Sequence, residues 1–285
     1  MKKLFYITAI LATVVAAASC KKGNQDNDAA VKLEAPALAT KAVKLDLSTN
    51  NLNIRTIEFT EAGRYLLTIE KNEPVAVKSS TGSYIFKSGS YTVSGTTYTL
   101  NGWGTVNVSG NSVTATPNQG TAVTVTATPV NPLPETDFYV TLARTWKVDK
   151  VRLSANVTGN AVTITKNGCD LPAIAAELNQ YGAGIKPESV EGYVVKDIIF
   201  TRSKTFAVEF TGKDPYVGDV INISNDGTFA YELKGAGNGI INGKAEGKVE
   251  YLAEDQQMLF TISVAATDSS NSYNGTIFFW LSEVK

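Results

Sequence analysis

Apolar and polar positions alternate with a period of two over much of the chain beyond residue 43, the spacing of strands with one buried and one wet face. The pattern is sharpest in Tyr84-Ile85-Phe86, Tyr91-Thr92-Val93, Tyr98-Thr99-Leu100, Val106-Asn107-Val108 and Val123-Thr124-Val125-Thr126. Ser88-Gly89, Ser94-Gly95, Asn101-Gly102 and Ser109-Gly110-Asn111 separate these runs and suit tight hairpin turns. An antiparallel meander is the expected result. Tyr84, Tyr91 and Tyr98 are each grouped with Phe86, Val93 or Leu100, while Ser90, Thr92, Thr97 and Thr99 fall on the wet side. The tyrosine row is therefore expected in the core and not as a platform for sugar rings. Trp103, in Gly102-Trp103-Gly104, is the aromatic expected on an exposed turn.

Pro129, Pro132 and Pro134 fall within eight residues (129–136), which neither a strand nor a helix can continue, so the domain boundary is placed there. After a short helical stretch at 137–143, a second β block opens at Thr145-Trp146-Lys147-Val148. Trp146 and Val148 have one parity and Val151, Leu153, Ala155 and Val157 the other, which predicts a bulge near Asp149-Lys150. Further strands at 198–201, 205–210, 220–223, 229–233, 245–252, 258–264 and 276–282 bring the total to roughly eight, enough to close a barrel. Between them, Asp170 reads as an N-cap, with Leu171, Ile174, Leu178 and Tyr181 on one helical face. Phe59-Thr60-Glu61-Ala62-Gly63-Arg64-Tyr65, Phe200-Thr201-Arg202-Ser203-Lys204-Thr205-Phe206 and Ile223-Ser224-Asn225-Asp226-Gly227-Thr228-Phe229 share one pattern. Each is expected to be a hairpin corner, its hydroxyl capping the turn and its two large residues meeting across the strands. The fold class is all-β: an N-terminal β-meander or sandwich over 43–131 and a C-terminal up-and-down barrel over 137–285, with one short helix.

Composition narrows the chemistry. The chain of 285 residues is 43% hydrophobic and 19% charged, with 32 Thr and 27 Val, and 26 Lys+Arg against 27 Asp+Glu leave no global field to hold nucleic acid. There is no His, so Ser-His and Cys-His nucleophile pairs and imidazole metal sites are excluded. Cys169 near a helix start lacks such a partner, and Asp170 beside it opposes a thiolate. Asn24-Gln25-Asp26-Asn27-Asp28 has oxygen ligands but no Gly turn or closing Glu for calcium. Gly235-Ala236-Gly237-Asn238-Gly239 lacks the third glycine of a dinucleotide loop. Glu246, Glu250 and Glu254, alternating with Lys244 and Lys248, read as a solvated strand edge. No catalytic residue, cofactor or metal site is expected, and the protein is read as a non-enzyme. Ile277-Phe278-Phe279-Trp280-Leu281 is apolar on both faces, so its outer face is expected to pack on the N-terminal domain or a helix.

Residues 1–19 read as a secretory signal: Lys2-Lys3, an apolar run over 4–18, and the small residues Ala17-Ala18-Ser19 before Cys20. That run is shorter than the roughly 20 residues a membrane span needs. Ala17-Ala18-Ser19-Cys20 resembles the bacterial lipobox, which implies that Cys20 is the lipid attachment site and that the preceding peptide is removed. Lys21, where an Asp would imply inner-membrane retention, makes the resemblance point to the outer membrane of a Gram-negative cell, on its periplasmic or cell-surface face. Residues 20–42 then form a lipidated tether about 25 Å from end to end. With Cys20 acylated, Cys169 has no partner for an intramolecular disulfide.

With Leu142-Ala143-Arg144-Thr145-Trp146-Lys147-Val148 opening a strand, and the corners and up-and-down pattern that follow, residues 137–285 resemble the lipocalin-like domains of bacterial lipoproteins. Arg144 stands where that family has Gly, and no Arg follows Trp280 to stack on Trp146. The resemblance implies an eight-stranded barrel whose mouth holds a small apolar ligand; it carries over no binding residue. The expected function is a lipid-anchored outer-membrane binding lipoprotein, holding a small apolar ligand or a partner surface protein without chemistry. The alternative is a structural or adhesive surface subunit of fimbrillin-like kind, with Arg55 and Arg64 as cleavage sites that would release a first strand.

Overall fold

The computed structural model describes residues 43–47, 53–60, 62–70, 84–130, 142–223, 228–234, 244–252, 254–267 and 272–284. The signal, Cys20 and the tether, Pro132 and Pro134, the helical stretch expected before Leu142, the 224–227 corner and the 235–239 loop lie outside the described residues.

The first block forms β1 (Val43–Asp46), β2 (Ile54–Phe59), β3 (Arg64–Glu70), β4 (Tyr84–Ser94), β5 (Thr97–Leu100), β6 (Gly104–Ser109), β7 (Ser112–Pro117), β8 (Val123–Thr126) and β9 (Thr128–Val130). They make one sheet in the order β8-β7-β6-β5-β4-β3-β2-β1-β9. Its two edge strands are separated along the chain by Ala127 alone, so the sheet curls into a half-barrel. β4 serves both halves, pairing with β3 up to Ser90 and with β5 from Tyr91. Gly89 permits that hand-over, because a Cβ there would lie 2.8 Å from the Tyr65 ring. The Tyr65 hydroxyl passes beside it and donates to the Asn101 carbonyl at 2.8 Å. The core gathers Val43, Leu45, Ile57, Phe59, Tyr65, Leu67, Tyr98, Leu100, Val106, Val108 and Val113.

Two expectations for aromatic residues are corrected here. Tyr98 is buried and Tyr91 packs half-buried on the core, with Phe59 4.7 Å from Tyr98 and 5.1 Å from Tyr91 between ring centroids. Tyr84, however, shares one continuous strand with Tyr91 at an odd spacing and so takes the opposite face, beside Phe86. Trp103 is buried in the core and not exposed on its turn. Gly102 and Gly104, with φ of 83° and 152°, allow the tight turn that carries the indole inward.

The second block forms β10 (Thr145–Val157), β11 (Asn160–Asn167), β12 (Cys169–Asp170), α1 (Leu171–Gln180), β13 (Val194–Phe200), β14 (Thr205–Phe210), β15 (Tyr216–Ile223), β16 (Thr228–Lys234), β17 (Lys244–Leu252), β18 (Gln257–Thr267) and β19 (Ser272–Glu283). Eight of these, in the order β10-β19-β18-β17-β16-β15-β14-β13, make an antiparallel ring that returns to β10 through three residue pairs, Thr145↔Ile199 to Lys147↔Asp197. The short seam leaves the barrel nearly closed. Together with the curled first sheet, this is the all-β class the alternation predicts.

The expected bulge is present: the register of β10 on β19 shifts between Val148 and Val151. Asp149 anchors it, its carbonyl accepting from the Gly168 amide at 2.7 Å and its carboxylate from Ser282 Oγ at 3.0 Å and Gln257 Nε2 at 2.8 Å. Beyond the bulge β10 parts from β13 and pairs with β11, while β12 pairs with β13. Helix α1 packs against both β11 and β13 at this split. Asp170 caps it, accepting from the Ala173 amide at 2.9 Å, and Leu171, Ile174 and Leu178 are buried. Tyr181, expected on that buried face, is exposed because it is already the C-cap and the chain turns away at Gly182, φ 83°. The three corner patterns pair as expected, Phe59↔Tyr65, Phe200↔Phe206 and Ile223↔Phe229. In the first, the Thr60 hydroxyl accepts from the Arg64 amide at 3.1 Å.

Candidate functional site

Residues directly opposite in an antiparallel ladder share a face, so the registers carry one inward row around the C-terminal barrel. On β10 it runs Trp146, Val148, Val151, Leu153, and opposite these stand Leu281, Phe279 and Ile277 of β19, then Met258 and Phe260 of β18. All are buried. Phe200 of β13 stacks on Phe260 of β18 at 5.2 Å and 15°, although those strands are not neighbours in the ring. With Phe206 5.9 Å from Phe200, the end of the barrel beside the Phe200–Phe206 corner is filled by rings meeting across its interior.

The opposite end mixes small residues with large ones: by register the inward row there also carries Phe229, opposite Gly247, and Tyr231, opposite Ala245. There the inward row passes through Ala155, paired with Gly275, and Gly247, paired with Ile262. A Cβ on Gly275 would stand 2.9 Å from the Ser154 carbonyl, so the close approach of β10 and β19 keeps that wall free of a side chain. At the rim three rings converge from the start of β13, the end of β14 and the start of β15. Tyr193 meets Phe210 edge-on at 5.1 Å, Phe210 meets Tyr216 at 5.1 Å, and the two tyrosines lie 5.6 Å apart. The Lys213 ammonium, in the turn between β14 and β15, stands 5.7 Å from the Tyr193 ring. Burial first, and then a hydrogen bond with Tyr193, push the Tyr216 phenol well above its ordinary pKa.

Helix α1 flanks this end. Asn179 clamps the chain that follows it, donating to the Ile185 carbonyl at 2.8 Å and accepting from the Ile185 amide at 2.6 Å. The Lys166–Glu177 ion pair at 2.6 Å ties the helix to β11, and Thr158 Oγ1 donates to the Tyr181 carbonyl at 2.9 Å. The arrangement is an apolar wall with phenol hydroxyls and one ammonium at its rim. The Tyr216 phenol, raised by burial, keeps its proton and is a hydrogen-bond donor at that rim.

The residues singled out from the sequence are placed as follows. Cys20 lies outside the described residues, as do 24–28 and 235–239. Cys169 is fully buried on β12, and burial, then the charge of Asp170, push its thiol up to about 12. Lys248, Glu250 and Glu254 are exposed, but β17 lies between β16 and β18; Lys248 and Glu250 line the outward face of an inner strand and Glu254 the turn after it, not a sheet edge. Phe278 and Trp280 are half-buried, and what covers their outer faces is Arg152, 4.3 Å from the Phe278 ring centroid, and Lys150, 4.0 Å from that of Trp280. Both cations come from the neighbouring strand β10. Sequence reasoning missed the Tyr193, Phe210 and Tyr216 rim; its signal is an aromatic at each strand end flanking the turn after Phe210. No protein-family model, curated protein or solved structure matches the chain.

Proposed function

We propose that the chain is a non-catalytic, lipid-anchored binding lipoprotein of a Gram-negative outer membrane, whose lipocalin-like C-terminal barrel holds a small apolar ligand. The observation that carries this reading is the run of small residues on the inward row of β10, β17 and β19. Trp146, Phe200, Phe206, Phe260 and Phe279 occupy one end, whereas Ala155, Gly247 and Gly275 and the rim of Tyr193, Phe210 and Tyr216 mark the other. Small side chains on that stretch of wall leave room for a ligand. The lipobox-like Cys20 supports an anchor, and a tether of about 25 Å would hold the barrel clear of the headgroups. The adhesive reading is weaker, because Arg55 of β2 is ion-paired with Glu70 of β3 and Arg64 opens β3, both inner strands of their sheet. A protease needs an extended, unpaired segment at the bond it cuts.

The test is titration of the full chain with an apolar fluorescent probe. The wild-type protein is expected to bind it with blue-shifted emission, and Ala155→Phe to weaken binding by about tenfold or more by filling the space those small residues leave. Absence of binding, or equal binding by Ala155→Phe with an unchanged melting temperature, would overturn the reading.

A further inference from the structure

The outer face of β10 and β19 carries a second feature that the barrel interior does not use. Phe278 and Trp280 lie two residues apart on β19 and so on one face, their rings tilted by 31° with centroids 6.1 Å apart. Trp280 pairs with Leu259 of β18, which is half-buried, and this extends the apolar strip sideways. Over the strip lie two cations: the Arg152 guanidinium above Phe278 at 4.3 Å and 5.5 Å from Trp280, and the Lys150 ammonium above Trp280 at 4.0 Å. Lys147, exposed on the same strand, continues the line.

None of the three cations has a carboxylate partner among the described residues. Asp149, the nearest acid in sequence, is engaged by Ser282 and Gln257. Arg152 Nε is buried and makes no hydrogen bond. A buried guanidinium nitrogen without an acceptor costs free energy, so the group is held there by its packing on the rings and not by a hydrogen bond of Nε. The rings hold both cations in place without neutralising them, so little side-chain entropy remains to be lost when an anion arrives. The row from Lys147 to Arg152 crosses the bulge after Val148 and spans about 15 Å at the rise of a strand.

We infer that this face binds a linear polysaccharide carrying carboxylate groups. Charge complementarity identifies the occupant: the planar fork of Arg152 matches a planar carboxylate, the two lysines meet further charges along the same chain, and the sugar rings lie against Leu259 and the exposed edges of Phe278 and Trp280. The near-neutral protein offers no wider field for a nucleic acid.

The test is calorimetric titration of the full chain in detergent with polygalacturonate oligomers at low and high salt. Binding is expected at low salt, weaker at high salt, and reduced about tenfold or more in the Lys150→Gln/Arg152→Gln variant. Lys186→Gln, exposed and remote in sequence, should bind as the wild type does. If the double variant melts early, Lys147→Gln alone must still weaken binding. No binding at low salt, equal binding by a folded double variant, or equal affinity for neutral dextran, dextran sulfate or a single-stranded oligonucleotide would overturn the proposal.

Discussion

Gly63 and Lys204 occupy the same fifth place in two of the repeated corners, and both adopt left-handed backbone, with φ of 68° and 61°. Nothing lies within 4 Å of a Cβ built on Gly63, so only the dihedral opposes a side chain there. Gly63→Ala should therefore cost about 1 kcal/mol, and Lys204→Gly should be neutral or stabilising by up to about 1 kcal/mol, read from denaturant midpoints. Cys169 provides a pH test. Its folded pKa of about 12 lies above the ordinary 9.0, so the fold favours the protonated thiol. That contribution is complete below pH 9 and is lost as the pH rises toward 12, and Tyr98, raised from 10.0 to about 12 mainly by burial, acts in the same direction. Unfolding free energy should fall across this alkaline window, with a shallower slope in Cys169→Ala. At neutral pH the native thiol should resist an aromatic disulfide reagent and react only on denaturation; a fast native reaction would contradict its burial.

At the scale of elements, the parts legible in the sequence were those where one local pattern had one physical outcome. The parity break between Val148 and Val151 could be accommodated only by an extra residue, and the bulge stands there, tied by Asp149 to β18 and β19. Asp149→Ala should loosen that tie at a cost of about 1–3 kcal/mol, measured by chemical denaturation, since two donors lose their acceptor. The corners were legible because turn residues and facing apolar pairs agreed. Tyr84 was misplaced because reading Tyr84 and Tyr91 as separate strands hid the odd count between them, a matter of strand length that alternation alone does not reveal. Strand β11 was not expected because it lies outside the eight-membered ring, extending β10 beyond the point where the barrel splits. Trp103 was misjudged because glycines signal a turn without fixing which way its central side chain faces. Gly104→Ala tests this turn: a Cβ would lie 2.1 Å from the Thr116 carbonyl, so the variant should lose several kcal/mol or fail to fold, seen as early thermal unfolding.

At the scale of the whole molecule, the all-β class and the eight strands of the C-terminal ring were readable, whereas the nine strands of the first sheet and β11 and β12 beside the ring were not. The candidate site was not readable, because its rim is assembled from Tyr193, Phe210 and Tyr216, which come together only when β13, β14 and β15 pair. Side-chain size along the inward row likewise has meaning only once register assigns each residue to an end of the barrel. The first sheet has a different surface: no charged residue occurs between Lys87 and Glu135, and its outward positions carry hydroxyls such as Thr114 and Thr124, bonded to each other at 2.8 Å. The β5–β8 side of that sheet is held by core packing and cross-strand pairs, and the Arg55–Glu70 ion pair lies on its β2–β3 side, half-exposed, so salt should move the unfolding midpoint only slightly. The central claim is that the C-terminal barrel holds a small apolar ligand. Native mass spectrometry of the protein, purified directly from a Gram-negative host, tests it most directly. A ligand-holding barrel gives a stoichiometric extra mass that leaves on mild activation and is absent from Ala155→Phe; a bare protein mass under the same conditions would contradict it.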